Sequence, residues 1–264
     1  MEIVKDTMLY FSGTGNSLQV SKDINNELNG FDLIKITDFI NEDKIVVRSG
    51  RLGIVFPVYY ARMPLIVEEG LKKLEVSKST YIFAVATCGG APSNVLLKLA
   101  EFLKIRNIKM NAGFLVKMPR NNIFSYSSIS VEKQKEIFKE EKGKIKEITK
   151  YIKNKVDCSY EVDKLFIVLF DQITGKITDK IMSDFHYRDK YFWTNEKCNG
   201  CGLCKKVCSV KNIDIVDNKS VWENRCEQCT ACIQYCPQKA IQWKENTVKR
   251  SRYRNPNISV KELI

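Results

Sequence analysis

Short apolar runs alternate with amphipathic stretches through the first 155 residues. Residues 8–12, 31–36, 51–57, 80–87 and 108–118 are rich in β-branched or aromatic side chains and bounded by turn residues, the pattern of strands. Between them, Leu18, Ile24 and Leu28 share one helical face, and residues 65–74 and 95–103 repeat the pattern. Ile137, Phe138, Ile145, Ile148 and Ile152 mark a long, heavily charged amphipathic helix. Five strands alternating with helices predict an α/β fold, a mainly parallel five-stranded sheet with helices on both faces.

The rhythm changes over residues 157–190. Ile173, Ile177, Ile181 and Phe185 recur every four positions, which predicts a helical connector with one apolar face between two domains. The single histidine of the chain, His186, lies here beside Phe185 and Tyr187. With no partner to be named from sequence, it reads as structural rather than catalytic. One histidine also rules out any His-based metal cage.

The longest apolar runs, residues 81–87 and 165–170, fall far short of the roughly 18–20 residues that span a bilayer. The first six residues carry acids and no apolar stretch, so no signal peptide is expected and the chain is expected in the cytoplasm. A net charge of +12 favours acidic partners, although a solvated lysine-rich surface accounts for much of it. The densest basic stretch, Lys249, Arg250, Arg252 and Arg254, opens a tail at residues 247–264.

The cysteines change the picture most. Eight of the ten fall between Cys198 and Cys236, with only Cys88 and Cys158 outside. In a reducing compartment such clustering points to metal rather than disulfides. Two runs repeat at an offset of 28 residues: Cys198, Cys201, Cys204 and Cys208, then Cys226, Cys229, Cys232 and Cys236, each spaced C-x2-C-x2-C-x3-C. Lys211 matches Lys239 and Ile213 matches Ile241 across the same offset, as an internal duplication requires. Three thiolates two residues apart wrap one [4Fe–4S] cluster, while the fourth is expected to begin the next helical segment and point to the neighbouring cluster. One cluster is therefore expected on Cys198, Cys201, Cys204 and Cys236, and the other on Cys226, Cys229, Cys232 and Cys208. Two zinc sites of four thiolates each satisfy the same ligand chemistry, but zinc has little need of this run twice over.

These residues resemble the bacterial two-cluster ferredoxins across residues 191–246, with all eight ligand positions filled. The resemblance implies a small α+β domain there. The first run departs from it, ending in Cys208-Ser209 where the family has proline. That change is expected to alter the turn or a potential without abolishing the cluster.

At the other end, Ser12-Gly13-Thr14-Gly15-Asn16-Ser17 runs from a strand into a helix. Small and hydroxyl residues at such a junction can surround a phosphate with N–H and O–H donors. The glycine spacing fits neither a Walker loop nor the dinucleotide fingerprint. A glycine turn with an ordinary N-cap at Ser12 or Thr14 is the plain alternative. The segment is similar to the phosphate loop of flavodoxins, and every position fits. That resemblance implies a flavodoxin-like, doubly wound domain over residues 1–156 that binds FMN. The loops after the third and fourth strands, Pro57-Val58-Tyr59-Tyr60 and Thr87-Cys88-Gly89-Gly90, would then meet the isoalloxazine ring. Tyr59 or Tyr60 would stack on it. Residues 57–64 hold no glycine, which makes a peptide flip beside the ring costly. Arg62 would favour a reduced anionic flavin if it lies near, or simply face solvent. Cys88 reads as a small apolar residue under the ring or as a thiol near it, and Cys158 as structural.

As a whole the chain resembles flavodoxin–ferredoxin fusion proteins. The function this implies is electron transfer between FMN and two [4Fe–4S] clusters and on to an external redox protein, for which the net charge favours an acidic one. Flavin-dependent reduction of a small substrate and a redox or nucleic-acid-binding module using the basic tail are the alternatives. No acid–base constellation marks a catalytic residue.

Overall fold

The computed structural model describes residues 1–164, 180 and 183–264; Ile173, Ile177 and Ile181, on which the connector helix was expected, lie outside them. The described residues form two compact units, one of 1–11, 16–118 and 131–164, the other of 12–15, 119–130, 180 and 183–264. The loop Ser12–Gly15 and the segment 119–130 thus belong with the cysteine-rich part of the chain.

The first unit runs β1 Glu2–Ile3, β2 Thr7–Tyr10, α1 Asn16–Leu28, β3 Asp32–Lys35, β4 Ile45–Val47, β5 Arg51–Pro57, α2 Leu65–Lys72, β6 Leu74–Val76, β7 Tyr81–Cys88, α3 Val95–Lys104, β8 Ala112–Lys117 and α4 Val131–Lys153. Five of these strands form one sheet in the order β3-β2-β5-β7-β8. Every pairing in it is parallel. Numbered among themselves the strands read 2-1-3-4-5, the flavodoxin-like doubly wound order. The central strands β5 and β7 are apolar almost throughout and buried, as a sheet covered on both faces demands. α1 and α4 pack together and bury Leu18, Val20, Ile24, Ile137, Ile145, Ile148 and Ile152.

A second, small sheet was not expected. β1, β4 and β6 pair in parallel in the order β1-β4-β6. Leu74, read from its spacing as the end of a helix, instead opens β6. Strands of two or three residues carry too few positions for an alternation to register.

The second unit has β9 Phe192–Thr194, β10 Ile213–Val216, β11 Lys219–Trp222 and β12 Ile241–Trp243, with short helices Leu203–Val207 and Ala231–Tyr235. β10 and β11 form an antiparallel hairpin, and β12 pairs antiparallel with β9. Its core gathers Ile123, Phe124, Phe192, Ile213, Ile233, Ile241 and Trp243 around Cys204, Cys226, Cys232 and Cys236. The basic tail is an ordered strap: Tyr253, Asn255, Ile258 and Leu263 are buried. Arg250, Arg252 and Arg254 donate to the main-chain carbonyls of Ile123, Ile241 and Gln234.

Candidate iron–sulfur centre and phosphate loop

The duplication seen in the cysteine spacing extends to the backbone. Lys211 and Lys239 have φ of 51° and 50°, Gly200 and Gln228 of 68° and 50°, and Gly202 and Thr230 of 73° and 63°. Each pair is 28 residues apart. The amide of Asn212 donates to Cys208 Sγ at 3.2 Å and that of Ala240, its equivalent, to Cys236 Sγ at 3.3 Å. Cys208 and Cys236 follow the short helices rather than begin new ones, which corrects the expectation from spacing. The third and fourth cysteines of each run lie about one helical turn apart, so the stretch between them is used up as helix. Cys208, at φ −75° and ψ 100°, nearly matches Cys236 at −59° and 114°. Serine in place of proline after Cys208 therefore leaves that cysteine's own backbone almost unchanged.

Cys198, Cys201, Cys204 and Cys236 line one cavity, with Ile215, Ser220 and Ile241 among its other walls. Three of these thiols come from the first run and one from the second. Ser220 Oγ stands 3.1 Å from Cys204 Sγ, a contact with no counterpart in the sequence pattern. Burial is the largest effect on the remaining thiols; Cys208 also raises the pKa of Cys226, Cys229 and Cys232, and Cys204 raises that of Cys208 and Cys232. Burial pushes the Cys229 thiol up to about 12 and those of Cys226 and Cys232 well above the usual range. The Gln228 amide donates to Cys226 Sγ at 3.2 Å. Among the described residues no three His, Cys, Asp or Glu side chains stand close enough to grip a single ion.

Groups that sequence reasoning missed hold this array. Asp189, 1% exposed, accepts from Asn212 Nδ2 at 2.9 Å and from the Asn224 amide at 2.8 Å, fixing the chain ahead of Cys226. Such buried acceptors are made by the fold, and no spacing announces them. His186 does have partners: Nδ1 lies 3.2 Å from the Cys226 carbonyl and 3.8 Å from Glu227.

The Ser12–Gly15 loop is buried and held by residues distant in sequence. Asn121 Nδ2 donates to Thr14 Oγ1 at 2.7 Å, while Tyr235 Oη and the Asn255 amide donate to the Thr14 carbonyl at 3.2 and 3.1 Å. The Asn121 carbonyl in turn accepts from Gln234 Nε2 at 2.9 Å. A Cβ on Gly13 would lie 2.6 Å from the Cys229 carbonyl oxygen, so only glycine fits. Ser12 Oγ accepts the Gly15 amide at 3.2 Å. Ser12 and Thr14 each accept one hydrogen bond here and keep an O–H proton to give. That donor chemistry suits an anion. Ser17 differs: its hydroxyl lies 2.8 Å from Thr87 Oγ1 in the first unit.

Within the first unit the loops after β5 and β7 are tightly built. Tyr59 and Arg62 exchange both main-chain hydrogen bonds at 2.9 Å, closing a two-residue turn. Its central residues Tyr60 and Ala61 have φ of 50° and 59°, the left-handed pair that glycine or asparagine usually supplies. The turn adopts the glycine conformation without a glycine. Tyr59 is half-buried, edge-on to Phe11 at 6.5 Å, and Tyr60 is 40% exposed. Arg62 Nη1 donates to the Ala61 carbonyl at 3.1 Å. The Val58 amide donates to the Thr87 carbonyl at 2.9 Å, joining the two loops. Burial and the charge of Asp163 raise the Cys88 thiol to about 12, so it stays protonated at neutral pH. Gly89 and Gly90 follow at the end of β7, Gly90 in the open.

The strand order defines the class of the first part, a doubly wound α/β fold of the flavodoxin-like kind, and a small, duplicated, cysteine-rich α+β part follows it. Residues 219–242, which carry the second cysteine run, match the family described as 4Fe-4S binding domain. No curated protein matches the chain. Among solved structures, a Bacteroides uniformis protein described as a flavoprotein is 15% identical, with TM-score 0.32, over 43% of this chain and 91% of that one. An FMN-dependent NADH-azoreductase from Bacillus anthracis, in complex with FMN, is 9% identical with TM-score 0.37, over 56% and 99%. The rubredoxin oxygen:oxidoreductase of Desulfovibrio gigas is 13% identical with TM-score 0.34; 58% of this chain matches 36% of it. These likenesses are loose, and the fold assignment rests on the strand order. Among the described residues no helix is long and apolar enough to cross a membrane.

Proposed function

We propose that the chain is an electron carrier with two [4Fe–4S] clusters and one FMN, passing electrons among them and to an external redox protein. The observation that carries this reading is the cavity lined by three thiols of one cysteine run and the last thiol of the other. Crossed sharing of that kind is what two adjacent cubanes on a duplicated run require. Cys198, Cys201, Cys204 and Cys236 would hold one cluster; Cys208, Cys226, Cys229 and Cys232 would hold the other. Each cluster supplies one-electron transfer, and FMN supplies the exchange between one- and two-electron chemistry.

The chain's own part is to bind and tune. Amide donors from Asn212, Gln228 and Ala240 to the sulfurs stabilise thiolate charge. Ser12 and Thr14, with the amides at the start of α1, would bind the FMN phosphate, and Tyr59 and Tyr60 with residues 87–90 would border its ring. The two-residue turn at Tyr60 and Ala61 holds that border in place. A cytoplasmic location and an acidic partner remain part of the proposal, the latter consistent with the charge of +12.

Anaerobic purification followed by iron, sulfide and flavin analysis tests the reading. The expected result is about eight iron and eight sulfide per chain, and added FMN held tightly. Stoichiometric zinc in place of iron would sink it; iron without any FMN affinity would leave the ferredoxin half alone.

A further inference from the structure

One surface of the second unit carries a charge pattern that electron storage does not account for. Among the described residues a groove is lined by Lys180, Arg188, Lys190 and Lys244 together with Tyr187, Tyr191 and one acid, Asp184. None of the four cations is ion-paired to a carboxylate among the described residues, whereas surface lysines elsewhere are, such as Lys44 with Glu75 and Lys205 with Asp214. Lys190 and Lys244 sit over the Tyr191 ring at 5.4 and 4.2 Å, which holds their ammonium groups at the groove instead of leaving them to wander.

The floor of the groove leads inward. Tyr191 meets Trp243 edge-on at 5.7 Å, and Trp243 packs on Phe124 at 4.7 Å. Tyr191 packs against the core that contains Trp243, Phe124, Cys204, Cys226, Cys232 and Cys236. A concentrated positive charge, with no ion-paired carboxylate among the described residues, therefore lies over an aromatic wall backed by the thiols. Fields of this kind steer an oppositely charged partner and fix its orientation more than they add affinity.

From this geometry we infer that the groove is the docking surface for an acidic electron-transfer protein, whose carboxylates engage Lys180, Arg188, Lys190 and Lys244. The inference rests on the proposed electron-carrier role and names the face through which the external exchange runs. An acidic protein fits better than a nucleic acid, because Asp184 stands in the groove and a protein edge of mixed charge can accommodate it while a continuous phosphate backbone is repelled.

The test is equilibrium binding of a fluorescently labelled, acidic plant-type [2Fe–2S] ferredoxin to the anaerobically purified full chain. Anisotropy reads binding whether or not electrons pass. We expect affinity to fall about tenfold as salt rises from about 50 to about 300 mM. The double variant Lys190→Glu/Lys244→Glu should weaken low-salt binding by at least about tenfold and flatten the salt dependence. Lys190→Gln/Lys244→Gln should fall between it and the native chain. Lys139→Glu/Lys146→Glu, on exposed positions of α4, makes the same change in net charge and should weaken binding by less than about threefold. Equal loss in both reversals, no measurable binding at low salt, or a labelled single-stranded oligonucleotide that binds as tightly and is lost in the same variant would each overturn the assignment. Iron content measured on the same sample separates the two ideas: variant-sensitive binding by an iron-free chain refutes the carrier role and not the groove, and an iron-replete chain without such binding refutes only the groove.

Discussion

The two cysteine runs have the same spacing and nearly the same backbone, yet they live in different surroundings. In the first, Cys201 is exposed, Cys198 and Cys208 are half-buried and Cys204 is buried; in the second, Cys229 is half-buried and Cys226, Cys232 and Cys236 are buried. The first reaches its left-handed positions with Gly200 and Gly202, the second with Gln228 and Thr230. Duplication thus copies a path through space but not an environment. For a redox centre the environment decides the potential, since burial penalises the extra negative charge of reduction. The more deeply buried set, Cys208, Cys226, Cys229 and Cys232, should be the harder to reduce.

The largest effect that bears on this comparison is loss of a cluster. Cys229→Ala should cut iron from about eight to about four per chain and remove the lower-potential signal in an electron paramagnetic resonance titration. Cys208→Ala should remove that same signal, and Cys236→Ala the other one. If Cys208→Ala instead behaves like Cys198→Ala, the crossed assignment is wrong.

Burial also acts on an acid in the first unit, where no ligand awaits its charge. Glu141 on α4 is 1% exposed, and burial together with the neighbouring Asp23 pushes its carboxyl up to about 8. An unfolded glutamate titrates near about 4.3, so the folded chain holds the proton across the interval between. Stability should then be greatest below about pH 4.5 as far as this group is concerned, and fall as pH rises to about 8. Glu141→Gln should remove that fall and gain roughly 2 kcal/mol at about pH 8 in urea unfolding. A variant with unchanged pH dependence would refute the shift.

A smaller effect contrasts the glycine and non-glycine halves directly. Thr230 is β-branched at φ 63°, a conformation costly for such a residue. Thr230→Gly should stabilise the fold by about 1 kcal/mol, and Gly202→Thr, where the new Cβ meets nothing within 4 Å, should cost about 1–2 kcal/mol from backbone strain alone. Equal effects of the same sign would show that the halves are not equivalent. The smallest expected change is in potential: Ser220→Ala removes the hydroxyl beside Cys204 and should lower the potential of the more exposed cluster by about a few tens of millivolts, leaving the other in place.

How much of this was open to reading from sequence depended on range. β5 was legible from residue 51 to residue 57 because a buried parallel strand is continuously apolar. The repeat of the thiols was legible because its spacing is local and recurs at one offset, and the backbone angles recur with it. Asn121, Tyr235 and Asn255 around Thr14 were not, since 107 and 221 residues separate Thr14 from the first two and no local pattern links them. The strap formed by residues 250–258 reads in the sequence only as the start of a basic tail for the same reason: its arginines donate to carbonyls that only the fold brings near.

The cavity that takes three thiols from one run and one from its copy has a consequence for the integrity of the whole. Under the proposed crossed ligation neither repeat would be self-sufficient: excising either would leave both thiol sets incomplete, one missing a single donor and the other missing three. The halves would then be hostages to each other, and damage to one sulfur at the junction would be felt on the far side of the duplication.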